Sequence, residues 1–357
     1  MKAIVVASKA PRIMIASGHE HTLQYIENTG VRQIVSGSGA KQGYASLSND
    51  GLFSYGGKGF ARMDVMQDGS SWVQFYGYED GKHKLLYTKK AIQELKKFNL
   101  DSLPEQFPAF AKANIYKDDR TEKNDVFEGL WGKKYRNLYG TEINAKVAIL
   151  DSLKGGLKVM RAGGGHQTRS LRLTDSIGRE YNLRALKKSA VQFLQTTVFK
   201  ERDVSDGFKE TAAEDLLYDF YTAAHPYGSL VIPELSEALN IYHTNPEIYY
   251  VPKQRALGQY NNDYGDELFM LVERPEKNFK NLESFGKPDD IQSTDDLFER
   301  LRRDEKYKVD EASYIRARMF DMLIGDWDRH QDQWRWAEFE GKDGSVTYKP
   351  IPRDRDQ

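Results

Sequence analysis

Near its C-terminus the chain reads Gly325-Asp326-Trp327-Asp328-Arg329-His330 and then Gln333, and beyond a hairpin-like stretch it reads Arg353-Asp354-Arg355-Asp356. An aspartate in an Asp-Arg-His turn is placed to orient a hydroxyl for attack, which makes Asp328 the candidate catalytic residue. Gln333 brings an amide oxygen to the same turn. Asp354 and Asp356 add carboxylate oxygens after the hairpin. Oxygen donors of this kind hold a divalent cation against the phosphates of a nucleotide. Acceptor orientation plus one cation is the chemistry of phosphoryl transfer.

The elements that must position these groups are legible on either side. Trp334–Phe339 and Ser345–Pro350 flank Gly341-Lys342-Asp343-Gly344 and read as a hairpin. A helix over 310–324 delivers the Asp-Arg-His turn, with Tyr314, Ile315, Met319, Phe320, Leu323 and Ile324 expected toward the core. A shorter helix over 294–304 opens at Thr294 or Asp295. Upstream, Gly163, Gly164, Gly165, His166 and Gln167 lie between Leu157–Met160 and Ser170–Leu173. That is a glycine-rich hairpin tip whose backbone N–H groups approach phosphates closely, with Gly163, Gly164, Gly165 and Gln167 as candidate contacts. The strand that follows, 181–188, presents a cation to those phosphates. Arg184 and Lys187 both qualify, and the sequence does not choose between them. A strong helix over 208–224 offers Glu210 or Glu214 as a partner for that cation. Strands at 248–252 and 266–275 come next, the second ending in Glu273-Arg274-Pro275 as a seam between lobes.

Asp328-Arg329-His330-x-x-Gln333 resembles the Asp-x-His-x-x-Asn loop of atypical kinases of the HipA, CotH and lipid-kinase groups. By that resemblance Asp328 is the catalytic aspartate and Gln333 stands where an asparagine binds metal. Asp354-Arg355-Asp356 resembles the Asp-x-Asp of CotH-like members, with Asp354 as the magnesium ligand. The implied cofactor is Mg-ATP, and the implied fold is a two-lobed kinase-like domain truncated at its C-terminus. Glutamine for asparagine departs from the pattern, keeping the amide oxygen on a side chain one methylene longer.

The opposite end of the chain carries a second constellation. Arg12–Ala16 reads as a strand ending at Gly18-His19-Glu20-His21, and Gln33–Gly39 repeats a strand running into a small-residue turn. Two imidazoles on one tight turn suit neighbouring metal ions. A hairpin follows, Gly59–Val65 and Ser71–Tyr76 around Asp68-Gly69. This segment resembles the last part of calcineurin-like metallophosphoesterases, in which both histidines bind a two-metal centre that activates water. The family's other ligands precede this motif and are not among the residues ahead of His19. His19 and His21 are therefore expected to be the orphan ligands of an incomplete site. The implied partition is 1–85 for the C-terminal part of a metallophosphoesterase sandwich, 86–130 for a linker with a short helix over 91–98, and 131–357 for the kinase-like domain. The order of the two units resembles bacterial envelope proteins that end in an outer-membrane barrel. The chain is thus expected to be an internal slice of such a protein, located in the periplasm or at the outer membrane.

Composition agrees with a soluble α+β protein of more than one domain: 357 residues, 39% apolar and 29% charged. Lys+Arg 52 against Asp+Glu 53 leaves a net charge of −1, with no basic excess for nucleic acid. No apolar run reaches the roughly 18–20 residues of a membrane helix. The apolar start at Ala3–Ala7 is broken by Ser8-Lys9 and Pro11-Arg12 and reads as a strand lead-in rather than a signal peptide. There is no cysteine, which excludes disulfides and thiolate metal sites. The expected partners are a nucleotide and a small-molecule or protein phosphate substrate. Two functions remain open: a metal-dependent phosphoesterase fused to an ATP-binding kinase-like domain, or a non-catalytic nucleotide-binding or structural module.

Overall fold

The computed structural model describes residues 13–28, 31–47, 51–92, 98–116, 121–163, 168–188 and 212–355. The chain is α+β and divides into two compact units, 1–97 with 191–211, and 98–190 with 212–357.

The first unit is built from alternating apolar and polar residues, which fold as strands with one buried face. Its strands are β1 (Met14–Ser17), β2 (Leu23–Asn28), β3 (Val31–Ser36), β4 (Gly51–Tyr55), β5 (Gly59–Val65), β6 (Ser71–Glu79) and β7 (Lys82–Ile92). They form a four-stranded sheet ordered β1-β3-β2-β4 and a three-stranded sheet ordered β5-β6-β7. Leu23, Tyr25 and Ile34 from the first sheet share one core with Val73, Phe75 and Tyr87 from the second. The expected hairpin at Asp68-Gly69 is the β5–β6 connection, Gly69 taking φ 80°.

In the second unit the strands are β8 (Phe110–Ala113), β9 (Ile143–Val147), β10 (Lys158–Gly163), β11 (Ser170–Thr174), β12 (Glu180–Ala185), β13 (Glu247–Val251), β14 (Glu267–Glu273), β15 (Asp290–Gln292), β16 (Tyr307–Val309), β17 (Trp334–Glu340) and β18 (Val346–Pro352). The helices are α1 (Asp125–Trp131), α2 (Arg136–Gly140), α3 (Ala212–Tyr221), α4 (Ile232–Ala238), α5 (Asn261–Tyr264), α6 (Thr294–Arg303) and α7 (Glu311–Leu323). A seven-stranded sheet runs β10-β11-β12-β14-β13-β9-β8, and a four-stranded sheet runs β15-β17-β18-β16. Period-two alternation sorts the side chains of the larger sheet. Leu171, Leu173, Leu183, Phe269 and Leu271 enter the main core, joined there by Ala337 and Ile351 of β17 and β18. A second core gathers Leu297 of α6, Ala317 and Phe320 of α7, and Trp334, Trp336 and Tyr348 of the hairpin.

Three expectations are corrected. The 86–130 segment is not a linker: residues up to Ile92 complete β7, and β8 pairs antiparallel with β9 in the large sheet. The helix expected over 91–98 is strand at its first two residues, and residues 93–97 lie outside the described ones. Strand continuation wins because Ile92 still pairs with Ser71 on β6. On α7 the packed stripe is Tyr314, Ala317, Phe320, Asp321 and Ile324, whereas Ile315, Met319 and Leu323 are 56%, 65% and 79% exposed. That helix carries two apolar stripes, and periodicity alone does not say which one meets the hairpin. A smaller shift concerns α6, whose N-cap is Ser293: its hydroxyl accepts from the Asp296 N–H at 3.1 Å.

Candidate functional site

The Arg184 guanidinium contacts the Asp354 carboxylate at 2.7 Å, Nη1 to Oδ1. Two groups 170 residues apart in the chain thereby meet. Arg184 reaches this position from β12, the second strand after the glycine hairpin, where its register partner on β14 is Met270. Asp354 lies two residues past the end of β18 and takes φ 55°, a left-handed conformation that costs a residue with a Cβ about 1 kcal/mol. The geometry selects Arg184 over Lys187 as the cation facing the acidic cluster. Lys187 lies beyond the end of β12.

Gln333 is buried and sits opposite Arg353 in an extension of the β17–β18 ladder, with the Arg353 N–H donating to Gln333 O at 2.9 Å. Gln333 and Asp354 are therefore carried on bonded strand ends. The turn before them is fixed by Arg329, whose side chain is 1% exposed. Arg329 Nε meets Asp321 Oδ2 at 3.2 Å, and Nη2 pairs with Asp326 Oδ2. Its Nη1 donates to the Arg353 carbonyl and, at 3.4 Å, to Gln333 Oε1. Asp328 lies on this turn, partly exposed, between buried Asp326 and Arg329. Trp334 packs in the core, but Trp327 is 81% exposed and does not cover the turn.

A buried network behind the turn was not anticipated from the sequence. Asp321 is fully buried and accepts from Arg355 Nε at 2.9 Å, contacts Arg355 Nη2 at 2.8 Å and meets Arg318 Nη1 at 3.0 Å. Arg355 also donates to the Ala317 carbonyl and to Ser236 Oγ. The middle residue of Asp354-Arg355-Asp356 thus anchors the acidic segment to α7 and α4.

The electrostatics follow from this crowding. Burial pushes the Asp354 carboxyl up, but Arg184, Arg353, Arg329 and His330 pull it down further, so it lies below the usual carboxylate value. Burial raises Asp326, with the charge of Asp321 adding, and the ion pair with Arg329 only partly offsets this. Its Oδ1 is buried without a hydrogen-bond partner among the described residues. Burial also lowers Arg335, and it lowers Arg353 to about 10, with neighbouring guanidinium groups adding to both shifts.

The remaining sequence candidates fall elsewhere. Gly163 closes β10 and pairs with Ser170. Gly164, Gly165, Gln167 and Asp356 lie outside the described residues, as do Glu210 and the Glu214 side chain. In the first unit His19 and His21 are exposed on the turn after β1. Gly37 packs under that turn so tightly that a Cβ would stand 2.0 Å from the Glu20 carbonyl. Among the described residues no group of three or more His, Asp or Glu side chains is arranged to hold a metal ion.

Asp354 and Gln333 offer hard oxygen donors, which in kind fit Mg²⁺. Beside Asp354, Arg184, His243, Met270, Val272 and Pro352 line a half-open pocket. Among the described residues no helix is long and apolar enough to cross a membrane. Comparison with family models, with curated proteins and with solved structures finds no match for the chain.

Proposed function

We propose that the second unit is a kinase-like phosphate-binding module that takes Mg-ATP. In this reading Arg184 faces the phosphates, Asp354 and Gln333 hold the divalent cation, and Asp328 orients an acceptor hydroxyl. The observation that carries it is the 2.7 Å contact between Arg184 and Asp354. A strand cation after a glycine hairpin and an acidic residue after a second hairpin are the two charged ends a phosphoryl-transfer cleft needs. For the first unit the reading is a metallophosphoesterase segment carrying His19 and His21 as two of its metal ligands, within an envelope protein.

The test is the melting temperature with and without Mg-ATP. Saturation at a hundred times Kd stabilises by about 2.7 kcal/mol, a rise of roughly 5–10 °C for a unit of this size. The rise is expected in the wild-type chain and absent in Asp354→Asn. No rise in the wild type, or an equal rise in both, overturns the reading.

A second reading is favoured by the engagement of Asp354 with Arg184. In it the module binds nucleotide, or simply packs, without transferring phosphate. Labelled phosphate moving from ATP to the chain or to an added acceptor refutes that reading. Binding without transfer supports it.

A further inference from the structure

We propose that the cleft beside Arg184 and Asp354 is an oligophosphate site, in which Arg274, Arg335 and Arg353 grip a chain of phosphates without a metal ion. This rests on the reading of the second unit as a phosphate-binding module and names what the module recognises.

The placement of the arginines follows from strand alternation. On β11 and β12, Leu171, Leu173 and Leu183 enter the core, so Arg172 and Arg184 take the opposite face. On β17, Trp334 and Trp336 enter the second core, so Arg335 turns the other way. Arg353 follows β18 one residue beyond its last ladder pair.

The side chains then form a continuous chain of contacts. Glu180 Oε2 lies 3.5 Å from both Arg172 Nη1 and Arg274 Nε. Arg274 Nε meets Glu276 Oε1 at 3.0 Å, and Arg335 Nη2 lies 3.8 Å from the same oxygen. The Arg353 guanidinium reaches the Asp332 carbonyl at 3.4 Å, and the Asp354 carboxylate acts on it. Arg161 is close enough to act on Glu180. Asp332 and Asp354 act on Arg335. Among the described residues the seam therefore gathers six arginines around four carboxylates, Glu180, Glu276, Asp332 and Asp354. The arginines at the seam are largely buried, with Arg274 18% and Arg335 11% exposed.

Crowded like charges in a half-closed cleft repel unless a counter-ion joins them. Planar guanidinium forks match phosphate oxygens in pairs, so the missing counter-ion is best supplied by linked phosphates.

Calorimetric titration of the full chain with sodium tripolyphosphate, in low salt with a chelator present, tests this. Saturable binding is expected, at least tenfold weaker in Arg335→Gln and in Arg353→Gln, and largely restored in Arg353→Lys. Asp354→Asn is expected to keep or tighten this metal-free binding while losing any response to Mg-ATP, so the two proposals fail separately. Adenosine is expected not to bind, and orthophosphate to bind far more weakly than tripolyphosphate. Three results overturn the proposal: no tripolyphosphate binding, binding indifferent to both arginine substitutions at an unchanged melting temperature, or adenosine binding as tightly as ATP.

Discussion

Asp321→Asn isolates what holds the candidate site together. The substitution keeps volume and one acceptor oxygen, removes the charge and puts an amide donor in place of the other oxygen. In the wild type that charge is fully buried and is shared by Arg355 through two contacts of 2.8 and 2.9 Å, by Arg318 at 3.0 Å and by Arg329 at 3.2 Å. Arg318 is a third exposed and recovers solvation, but Arg355 and Arg329 are 4% and 1% exposed and cannot. Removing one partner from such a cluster strands the others, which costs about 3–5 kcal/mol. Arg329 keeps Asp326, so the lower end applies, about 3 kcal/mol. For a unit of this size the melting midpoint falls by roughly 6–12 °C. Denaturant titration gives the same quantity through its midpoint. Adding Arg355→Met removes the stranded cation, so the double variant should recover at least about 1 kcal/mol over the single one. A single-variant loss under about 1 kcal/mol, or no recovery in the double variant, would refute the account of this network as dry and mutually neutralising.

Asp354 sits below its unfolded value of 3.8, so its stabilising contribution is present above that value and is lost as pH falls through the depressed folded value. Wild type should exceed Asp354→Asn by about 1–2 kcal/mol at neutral pH, with the difference flat above about pH 5 and shrinking in acid; a gap that grows as pH falls would contradict this. Asp326 has the opposite sign: its raised pKa means its contribution is present below 3.8 and is lost as pH rises through the raised folded value. Asp326→Asn should therefore cost less at neutral pH than Asp321→Asn, and equal losses in the two variants would show that burial does not separate them. Arg184→Ala should abolish stabilisation by Mg-ATP and Lys187→Ala should leave it, measured as the ligand-induced shift in melting temperature; the reverse pattern would move the phosphate contact off β12.

Most of the scaffold was legible because its signals are local. Gly341–Gly344 between two alternating runs and Asp68-Gly69 between two more each became a hairpin connection between the expected strands, and the strands on either side of the glycine-rich stretch pair antiparallel. The choice between Arg184 and Lys187 was not legible, because both sit in one basic run and only the β12–β14 register decides which one faces Asp354. The assignment of 86–130 failed for a related reason. A polar, mixed-charge composition reads as linker, yet β8 needs only four residues to add an edge strand beside β9. Asp321 was invisible because an aspartate in a helix is ordinarily solvated. Its burial depends on three arginines, two of them outside the helix.

The two aspartates of Gly325-Asp326-Trp327-Asp328 look alike in sequence and differ in what surrounds them. Asp326 is inside, with one oxygen on Arg329 and the other without a partner among the described residues, and it fixes the turn. Asp328 stays at the surface of the turn, beside the exposed His330. Arg329, between them, points inward to Asp321 and Asp326 and also caps the Arg353 carbonyl next to Asp354. One buried arginine thus ties the turn that carries Asp328 to the strand end that carries Asp354. Shortening that link, as in Arg329→Lys, removes the fork that spans both and should loosen the candidate site before it unfolds the unit.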